Sequence, residues 1–177
     1  AQILKDMKNW NWRIDANLGL NRNKVSELYG GKTEIITDTG SGFVDDANKI
    51  LKPGYDVDTW YMTEWAGVDP ETGQGQWFTT DEDGNRVKTF DYGEASKHKV
   101  NCGSYTPDFF GGFSTDLSWK NIDMSAMFSY SVGGKIYNYS RFEYDSDGAY
   151  VDRNQMNLKD GWTRWEKPGD IATHPQA

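Results

Sequence analysis

The chain alternates between apolar and polar residues along three long stretches, and this pattern constrains its fold more than any other feature. The stretches cover residues 10–20, 109–119 and 122–132. Their mainly apolar sides consist of Trp10, Trp12, Ile14, Ala16, Leu18 and Leu20, then Phe109, Gly111, Phe113, Thr115, Leu117 and Trp119, then Ile122, Met124, Ala126, Phe128, Tyr130 and Val132. A period of two is typical of a β-strand with one apolar and one polar face. The sequence therefore predicts three such strands.

The second and third stretches form a predicted antiparallel hairpin. Only two residues separate them, and the second, Asn121, tolerates the positive φ that a tight turn requires. In the resulting register Trp119 lies opposite Ile122. Gly111 then lies opposite Tyr130, whose ring can cover the bare glycine. A shift by one residue would place apolar side chains against Ser and Asp, so the polarity pattern specifies this register.

The length of these strands indicates their surroundings. About 11 residues at roughly 3.3 Å each span about 36 Å, and a tilt of about 40° leaves a rise of about 28 Å, close to the apolar thickness of a bilayer. Strands of soluble proteins are typically about half as long. Trp10, Trp12 and Trp119 lie beside the short turns, where aromatic residues flank a membrane. We therefore expect transmembrane strands whose apolar side faces lipid.

Composition supports an all-β fold and limits the partners. Leu, Ile, Val and Phe account for only 31 of the 177 residues, too few for an ordinary aliphatic core. The 8 Trp, 10 Tyr and 8 Phe residues are nevertheless too many for a disordered chain. A barrel wall reconciles these counts, because only alternate residues of its strands need to be apolar. The net charge of −8 disfavours nucleic acid as a partner, since phosphate binding requires a basic surface.

The segments between the long strands are predicted to be loops with short elements. Residues 21–54 are polar and rich in glycine, with a breaker at residues 39–42. Residues 55–67 are compatible with one further strand. Asp152 and Gln155 predict the cap of one short loop helix that ends at Gly161.

Residues 75–90 predict a hairpin whose turn holds three oxygen-bearing side chains. Asp81, Asp83 and Asn85 alternate there as the ligands of a calcium loop do. The sixth position of such a loop needs glycine and the twelfth needs glutamate, but this chain has arginine and tyrosine there. The sequence therefore predicts a solvated acidic hairpin and no metal site.

The sequence predicts no catalytic, cofactor-binding or metal-binding residue. Cys102 is the single cysteine, which excludes an intrachain disulfide, and we expect a buried or partly buried thiol. His98 and His174 have no Cys or His neighbour at metal-ligand spacing and are expected to lie exposed in loops. Nucleophile, phosphate-binding and dinucleotide-binding motifs do not occur in the sequence. We therefore predict that the protein is not an enzyme.

Five tryptophans in or near the long connections allow two interpretations. They are Trp60, Trp65, Trp77, Trp162 and Trp165. Indole rings among Asp, Asn and Gly are what a sugar-stacking surface uses. Packing of each ring within its own loop is the other interpretation, and the sequence alone leaves both open.

Seven short stretches, taken in order, resemble the SusC/RagA family of TonB-linked outer-membrane proteins. The resemblance extends over nearly the whole chain. It rests on NWNW (9–12) with NRNKV (21–25), ILKPG (50–54), GVDPETG (67–73), residues 103–107 leading into FGGF (110–113), WKNIDMS (119–125), GGKIYN (133–138) and TRWEKPGD (163–170). Each stretch alone is unspecific, whereas their common order is characteristic of the family.

The resemblance implies an incomplete segment of a large single-chain β-barrel that imports oligosaccharides or peptides across a bacterial outer membrane. In this family a periplasmic TonB protein pulls on an N-terminal plug, and a SusD-like surface lipoprotein caps the extracellular mouth. Residues 1–177 would then be part of one barrel domain, with the plug, the TonB box and the closing strands outside them. Residues 21–108 and 133–177 would lie mostly in extracellular loops, and the turn after Trp119 would be periplasmic.

On this interpretation the polar faces of the strands line the lumen or contact the plug. Their charged side chains are Arg13, Asp15, Asp116 and Asp123. The alternative is a soluble, secreted carbohydrate-binding β-sandwich, which requires strands of about 5–6 residues and a second sheet over the apolar face. A glycoside hydrolase would require two carboxyl groups about 5–10 Å apart, and the sequence alone does not identify such a pair.

Overall fold

The computed structural model describes residues 2–7, 9–38 and 47–176, and the predicted breaker at residues 39–42 lies outside them. The strands of the described chain are β1 (Gln2–Met7), β2 (Trp10–Gly19), β3 (Ile35–Asp38), β4 (Asn48–Leu51), β5 (Thr59–Met62), β6 (Trp65–Val68), β7 (Gly75–Thr80), β8 (Arg86–Thr89), β9 (Val100–Ser104), β10 (Phe109–Trp119) and β11 (Ile122–Val132). Two short helices are α1 (Tyr92–Ala95) and α2 (Tyr139–Tyr144). The predicted all-β class is confirmed.

Backbone contacts divide the chain into two compact units. The first contains the chain up to Glu34 together with Leu51–Asp58 and Gly103–Lys135. The second contains Ile35–Ile50, Thr59–Cys102 and the chain from Ile136 onward. The long strands β2, β10 and β11 all belong to the first unit, whereas both helices belong to the second.

The first unit is built around one sheet, the wall sheet, with the strand order β1-β2-β10-β11. β10 pairs antiparallel with β11 along its whole length, with Trp119 opposite Ile122 and Gly111 opposite Tyr130. This is the register that the polarity pattern predicts. A Cβ atom on Gly111 would lie 2.7 Å from the Tyr130 hydroxyl, so the ring covers the glycine as expected.

The turn between β10 and β11 differs from the prediction in one residue. Lys120, and not Asn121, adopts the positive φ, at 52°. The Lys120 N–H donates a hydrogen bond of 3.1 Å to the carbonyl of Asn9, just before β2. This contact from a neighbouring strand orients the Lys120 peptide, and it outweighs the stronger intrinsic preference of asparagine for such a backbone.

Two features of the wall sheet do not follow from the local pattern. β1 pairs with β2, with Met7 opposite Trp10 and with irregular register between the ends. β2 pairs antiparallel with β10, with Trp10 opposite Trp119. About 90 residues of chain separate β2 from β10, so periodicity predicts each strand but not that the two are neighbours.

The second unit contains two smaller sheets, ordered β3-β4-β5-β9 and β6-β7-β8. Ala47 and Trp60 form a small buried cluster in this unit, and Tyr137 and Tyr139 pack against it. The predicted hairpin over residues 75–90 is confirmed as β7 and β8. Its turn is closed by the backbone of Asp81 and Asn85 at 3.0 Å.

Residues 55–67, which the sequence suggests as one strand, form two strands in different sheets. β5 joins the sheet of β4, whereas β6 joins the sheet of β7. Between them the carbonyl of Glu64 accepts a hydrogen bond from the Phe78 N–H at 2.9 Å. Apolar side chains fall on both faces of residues 55–67 because each half packs in a different sheet.

The helix predicted between Asp152 and Gly161 does not form. Among the described residues the helix of this region is α2, which begins after Asn138, whose side chain accepts a 3.0 Å hydrogen bond from the Arg141 N–H. The predicted segment holds only two apolar residues, Met156 and Leu158, which are too few to form an apolar helix face for packing. Its Met156 N–H instead donates to the carbonyl of Tyr144 at 2.8 Å.

Candidate functional site

The polar face of the wall sheet carries a row of charged and hydroxyl side chains. The Arg13 guanidinium lies 2.6 Å from the Asp15 carboxylate on the same strand. Asp116 lies directly opposite Arg13 on β10, and its carboxylate accepts a 2.6 Å hydrogen bond from the Ser125 hydroxyl. Asp123 lies opposite Ser118 on the same face. The register thus brings together the charges that the sequence assigns to this face.

Two apolar side chains interrupt this polar face, and the alternation pattern predicts neither of them. Met127 lies opposite Ser114 and is 84% exposed. Phe110 lies opposite Gly19, and a Cβ atom on that glycine would be 2.7 Å from the Phe110 ring. A glycine facing an aromatic ring is a sequence signal that becomes readable only once the pairing of β2 with β10 is known.

The apolar face of the wall sheet is exposed over the described residues. Its uncovered side chains include Leu18, Phe113, Ile122, Met124 and Phe128. Phe113 and Phe128 stack across the β10–β11 pair with their ring centroids 4.6 Å apart. A β-sandwich would bury this face under a second sheet. An uncovered apolar face on strands of this length is instead what a lipid-facing barrel wall presents.

The tryptophans of the wall sheet gather at the end that holds the β10–β11 turn. Trp10 and Trp119 lie opposite each other, with ring centroids 5.4 Å apart. The Trp12 indole N–H donates a 2.8 Å hydrogen bond to the Thr115 hydroxyl on the same face. The Trp12 ring is therefore apolar at one end while its N–H has a polar partner, as an interfacial tryptophan requires.

The five loop tryptophans of the second unit differ in burial and in their contacts. Trp60 and Trp165 are each only 8% exposed, so both are packing residues. The Trp165 ring lies against Gly73, and its indole N–H donates to the Pro70 carbonyl at 2.8 Å. Trp162 packs beside the Arg141 guanidinium, 4.5 Å from the ring centroid. Packing within the loops is thus the main role of these three rings.

Trp65 and Trp77 belong to an aromatic row on the β6-β7-β8 sheet. Their ring centroids are 5.4 Å apart, and Trp77 lies 5.3 Å from Tyr92 of α1. Trp65 remains 46% exposed. It is the loop tryptophan with the most accessible ring for a ligand.

His174 is buried at 6% exposure, so the prediction of an exposed loop histidine is wrong. Its Nε2 donates to the Asp145 carboxylate at 2.9 Å, and the Arg141 guanidinium donates to the same carboxylate at 2.8 Å. Burial opposes ionisation of Asp145. The hydrogen bonds from Arg141 and His174 outweigh it, so the pKa of Asp145 lies below its ordinary value.

The remaining candidate residues form no reactive centre. Cys102 is exposed, which contradicts the expected buried or partly buried thiol, because β9 leaves both Asn101 and Cys102 uncovered. The Asp81 carboxylate accepts hydrogen bonds from Asn85, and these hold the pKa of Asp81 below its usual range. Within the described ranges no three His, Cys, Asp or Glu side chains cluster as a metal site would require.

In the part of the chain that the structure describes, no helix combines the length and the apolar character that crossing a membrane demands.

Comparison with known proteins identifies relatives of much greater length. No protein-family model matches the chain. TonB-dependent receptor P3 of Formosa agariphila is 31% identical over 166 residues, or 85% of this chain. TonB-dependent receptor P26 of the same organism is 28% identical over 175 residues, or 92% of this chain. The chain spans only 16% and 17% of the length of these two relatives.

Solved structures of the RagAB transporter match the fold. The RagAB peptide transporter aligns with 99% of this chain at a TM-score of 0.76 and 28% identity. RagAB in its closed-closed state, described as a peptide importer, aligns with 96% at a TM-score of 0.70 and 29% identity. The chain covers 18% and 19% of the matched chains. The resemblance predicted from the motifs is confirmed, because this chain is similar in sequence to a segment of TonB-dependent receptors and in fold to a segment of the RagAB transporter.

Proposed function

We propose that the protein to which this chain belongs is a TonB-dependent transporter that imports oligosaccharides or peptides across a bacterial outer membrane. The similarity to TonB-dependent receptors and to RagAB supports outer-membrane nutrient import. The observation that carries the proposal is the wall sheet. Its long strands expose an apolar face on one side and a charged face on the other, as the wall of a wide water-filled barrel requires.

Within this proposal residues 1–177 contribute part of one barrel domain. The wall sheet spans the membrane, and the turn at Lys120 and Asn121 is periplasmic. Residues 21–108 and 133–177 lie mostly in extracellular loops. Two buried polar side chains of the second unit support this assignment, because the Trp165 indole is hydrogen-bonded to the Pro70 carbonyl and His174 to Asp145, as in a water-exposed module.

The charged row on the polar face supports a role in lining the lumen. Arg13 and Asp15 form an exposed ion pair, and Asp116 is paired with a serine, so these groups remain hydrated and offer both charge signs. We assign this row to contact with the plug or with hydrated cargo.

The proposed partners follow from the same resemblance. We propose a SusD-like surface lipoprotein over the extracellular loops and energy coupling through TonB at a region outside these residues. The similarity to the RagAB structures supports a partner of this kind. Membrane lipid completes the set, and the net charge of −8 argues against nucleic acid.

Deletion of the complete receptor gene in its host tests the proposal. We expect loss of growth on one class of oligosaccharide or peptide, with normal growth on the corresponding monosaccharides or amino acids. The same loss should follow deletion of TonB, and the intact gene should restore growth. Unchanged uptake of both oligosaccharides and peptides by the deletion strain would contradict the proposal.

A further inference from the structure

Three aromatic rings of the second unit form the aromatic row on one side of the β6-β7-β8 sheet. Trp65 of β6 lies opposite Trp77 of β7, and Tyr92 of α1 comes next. The centroids of neighbouring rings are 5.4 Å and 5.3 Å apart, with angles of 78° and 70° between the ring planes. Each ring is therefore oriented by its neighbour through an edge-to-face contact.

A bare glycine provides the space that the Trp65 ring occupies. Gly75 lies two residues before Trp77 and therefore on the same side of β7. A Cβ atom on Gly75 would be 2.7 Å from the Trp65 ring, so a side chain there would displace the ring. Trp65 is nevertheless 46% exposed. The contacts with Gly75 and Trp77 hold the ring in place, and the rest of its surface is open to solvent.

The other side of the same sheet is charged. There the guanidinium carbon of Arg86 lies 3.5 Å from the centroid of the Phe78 ring. The same guanidinium is 2.8 Å from the Glu64 carboxylate, and Lys88 lies opposite Phe78. The aromatic ring on this side is therefore covered by an ion pair of the chain itself.

The side that carries the aromatic row is uncharged along strands β7 and β8. Its other residues on these strands are Thr79, Val87 and Thr89. The Thr89 hydroxyl accepts a 3.0 Å hydrogen bond from the Asp91 N–H, and it can donate its own proton to a ligand oxygen. The sheet thus offers ring surfaces and hydroxyl groups on this side, which favours an uncharged ligand.

We propose that the aromatic row is a binding site for a neutral oligosaccharide, in which one pyranose ring stacks against Trp65. A pyranose presents C–H groups on one face, and their partial positive charge is attracted to the negative face of an indole. Its hydroxyl groups lie around the rim, where they remain hydrated or bond to hydroxyls such as that of Thr89. An aliphatic peptide side chain would instead gain most from a closed pocket.

This inference rests on the proposed function and narrows it, because it selects oligosaccharides over peptides as the cargo that the second unit contacts. A peptide has a different way to bind this sheet. It can add as a further strand beside β6 or β8, the two edge strands, through backbone hydrogen bonds that need no indole. The two cargo classes therefore differ in whether binding depends on the Trp65 ring.

Ligand binding by the complete receptor tests this site. The purified receptor is applied to printed arrays of neutral oligosaccharides, acidic oligosaccharides and peptides, and the affinity for the neutral oligosaccharide that binds most strongly is measured by calorimetry. We expect the wild type to bind neutral oligosaccharides. Trp65→Leu, which is apolar but not aromatic, should weaken this binding about tenfold. Trp65→Tyr keeps a flat ring and should retain most of the affinity.

Phe78→Leu provides a matched control on the other side of the same sheet. It also replaces an aromatic ring by leucine, but at a ring that Arg86 covers. This variant should leave the affinity for the oligosaccharide unchanged. An equal loss in Phe78→Leu and Trp65→Leu, or no loss in Trp65→Leu, would overturn the assignment of the site.

The outcomes separate this inference from the proposed function. Binding to peptides alone, or to acidic oligosaccharides alone, refutes the neutral oligosaccharide site and leaves nutrient import standing. Hydrogen exchange gives an independent location for the ligand, because amides of residues 65–68 and 75–78 should exchange more slowly in its presence, and Trp65→Leu should abolish the difference. Normal uptake of both oligosaccharides and peptides by a host that lacks the receptor refutes the proposed function itself.

Discussion

The wall sheet and the loop residues after 136 are stabilised in opposite ways. The wall sheet has a continuous backbone ladder, yet its large apolar side chains lie exposed. The loop region has little regular structure, yet Trp165 and His174 are buried and hydrogen-bonded within the second unit. The wall sheet thus exposes its apolar side chains, whereas the loop region buries its own against other residues of the second unit.

The largest effect that we predict falls in the loop region. Trp165→Ala removes a buried ring from Gly73 and the hydrogen bond to Pro70, and should destabilise this packing by about 3–5 kcal/mol. In the complete receptor, amides of residues 69–74 and 163–176 should exchange much faster. Trp65→Ala, which removes an exposed ring, serves as the control. Similar exchange rates in the two variants would show that burial of Trp165 does not stabilise the loop region.

The next effect separates the two faces of the wall sheet. Phe128→Arg places a charge on the apolar face and should destabilise the receptor in a bilayer by about 2–4 kcal/mol near the midplane. Ser129→Arg, one residue along the same strand, places the charge on the polar face and should change the stability little. Unfolding by denaturant from lipid vesicles measures both. Equal losses would mean that the apolar face does not contact lipid.

Asp145 should show a smaller, pH-dependent effect. Asp145→Ala leaves His174 and Arg141 without their acceptor and should cost about 1–3 kcal/mol at neutral pH. Because the folded pKa of Asp145 is lowered from 3.8, its contribution is present above that value and disappears as the pH falls through the folded pKa.

Hydrogen exchange of residues 163–176 as a function of pH measures this difference. Wild type and Asp145→Ala should converge in strong acid. Asp152→Ala, at an exposed carboxyl group, is the control and should follow the wild type at every pH. A difference between wild type and Asp145→Ala that persists unchanged in strong acid would refute the role of the Asp145 carboxylate.

The smallest effect concerns a polar contact on the apolar face. Thr115→Val removes the acceptor of the Trp12 indole N–H and should destabilise the wall sheet by about 1 kcal/mol. Thr115→Ser keeps the hydroxyl and should retain most of the stability. Vesicle unfolding distinguishes the two variants, and a fully stable Thr115→Val would show that the indole finds another acceptor at the membrane interface.

Sequence reasoning succeeds where structure depends on neighbours along the chain. Alternation predicts β10, β11 and their register, because a two-residue turn leaves no other way to match apolar with apolar. It does not reveal β1 or the pairing of β2 with β10, since distant segments choose their partners through the whole barrel.

The site residues follow the same rule. The charged row on the polar face is predictable from the alternation of side chains along each strand. The burial of His174 is not, because Asp145 and Trp162, which enclose it, lie far from it in the sequence. The turn at Lys120 is also not predictable from local preference. The Lys120 N–H donates to the Asn9 carbonyl, and Lys120 rather than Asn121 adopts the positive φ.

Tyr130 gives the wall sheet a mechanical property. Its side chain starts on β11, passes over Gly111 of β10 and donates a 3.2 Å hydrogen bond to the Asn17 carbonyl of β2. The Tyr130 side chain therefore links three adjacent strands. A force on β11 is therefore transmitted directly to β2. The three strands resist shear together at Gly111, where β10 has no side chain of its own to contact its neighbours.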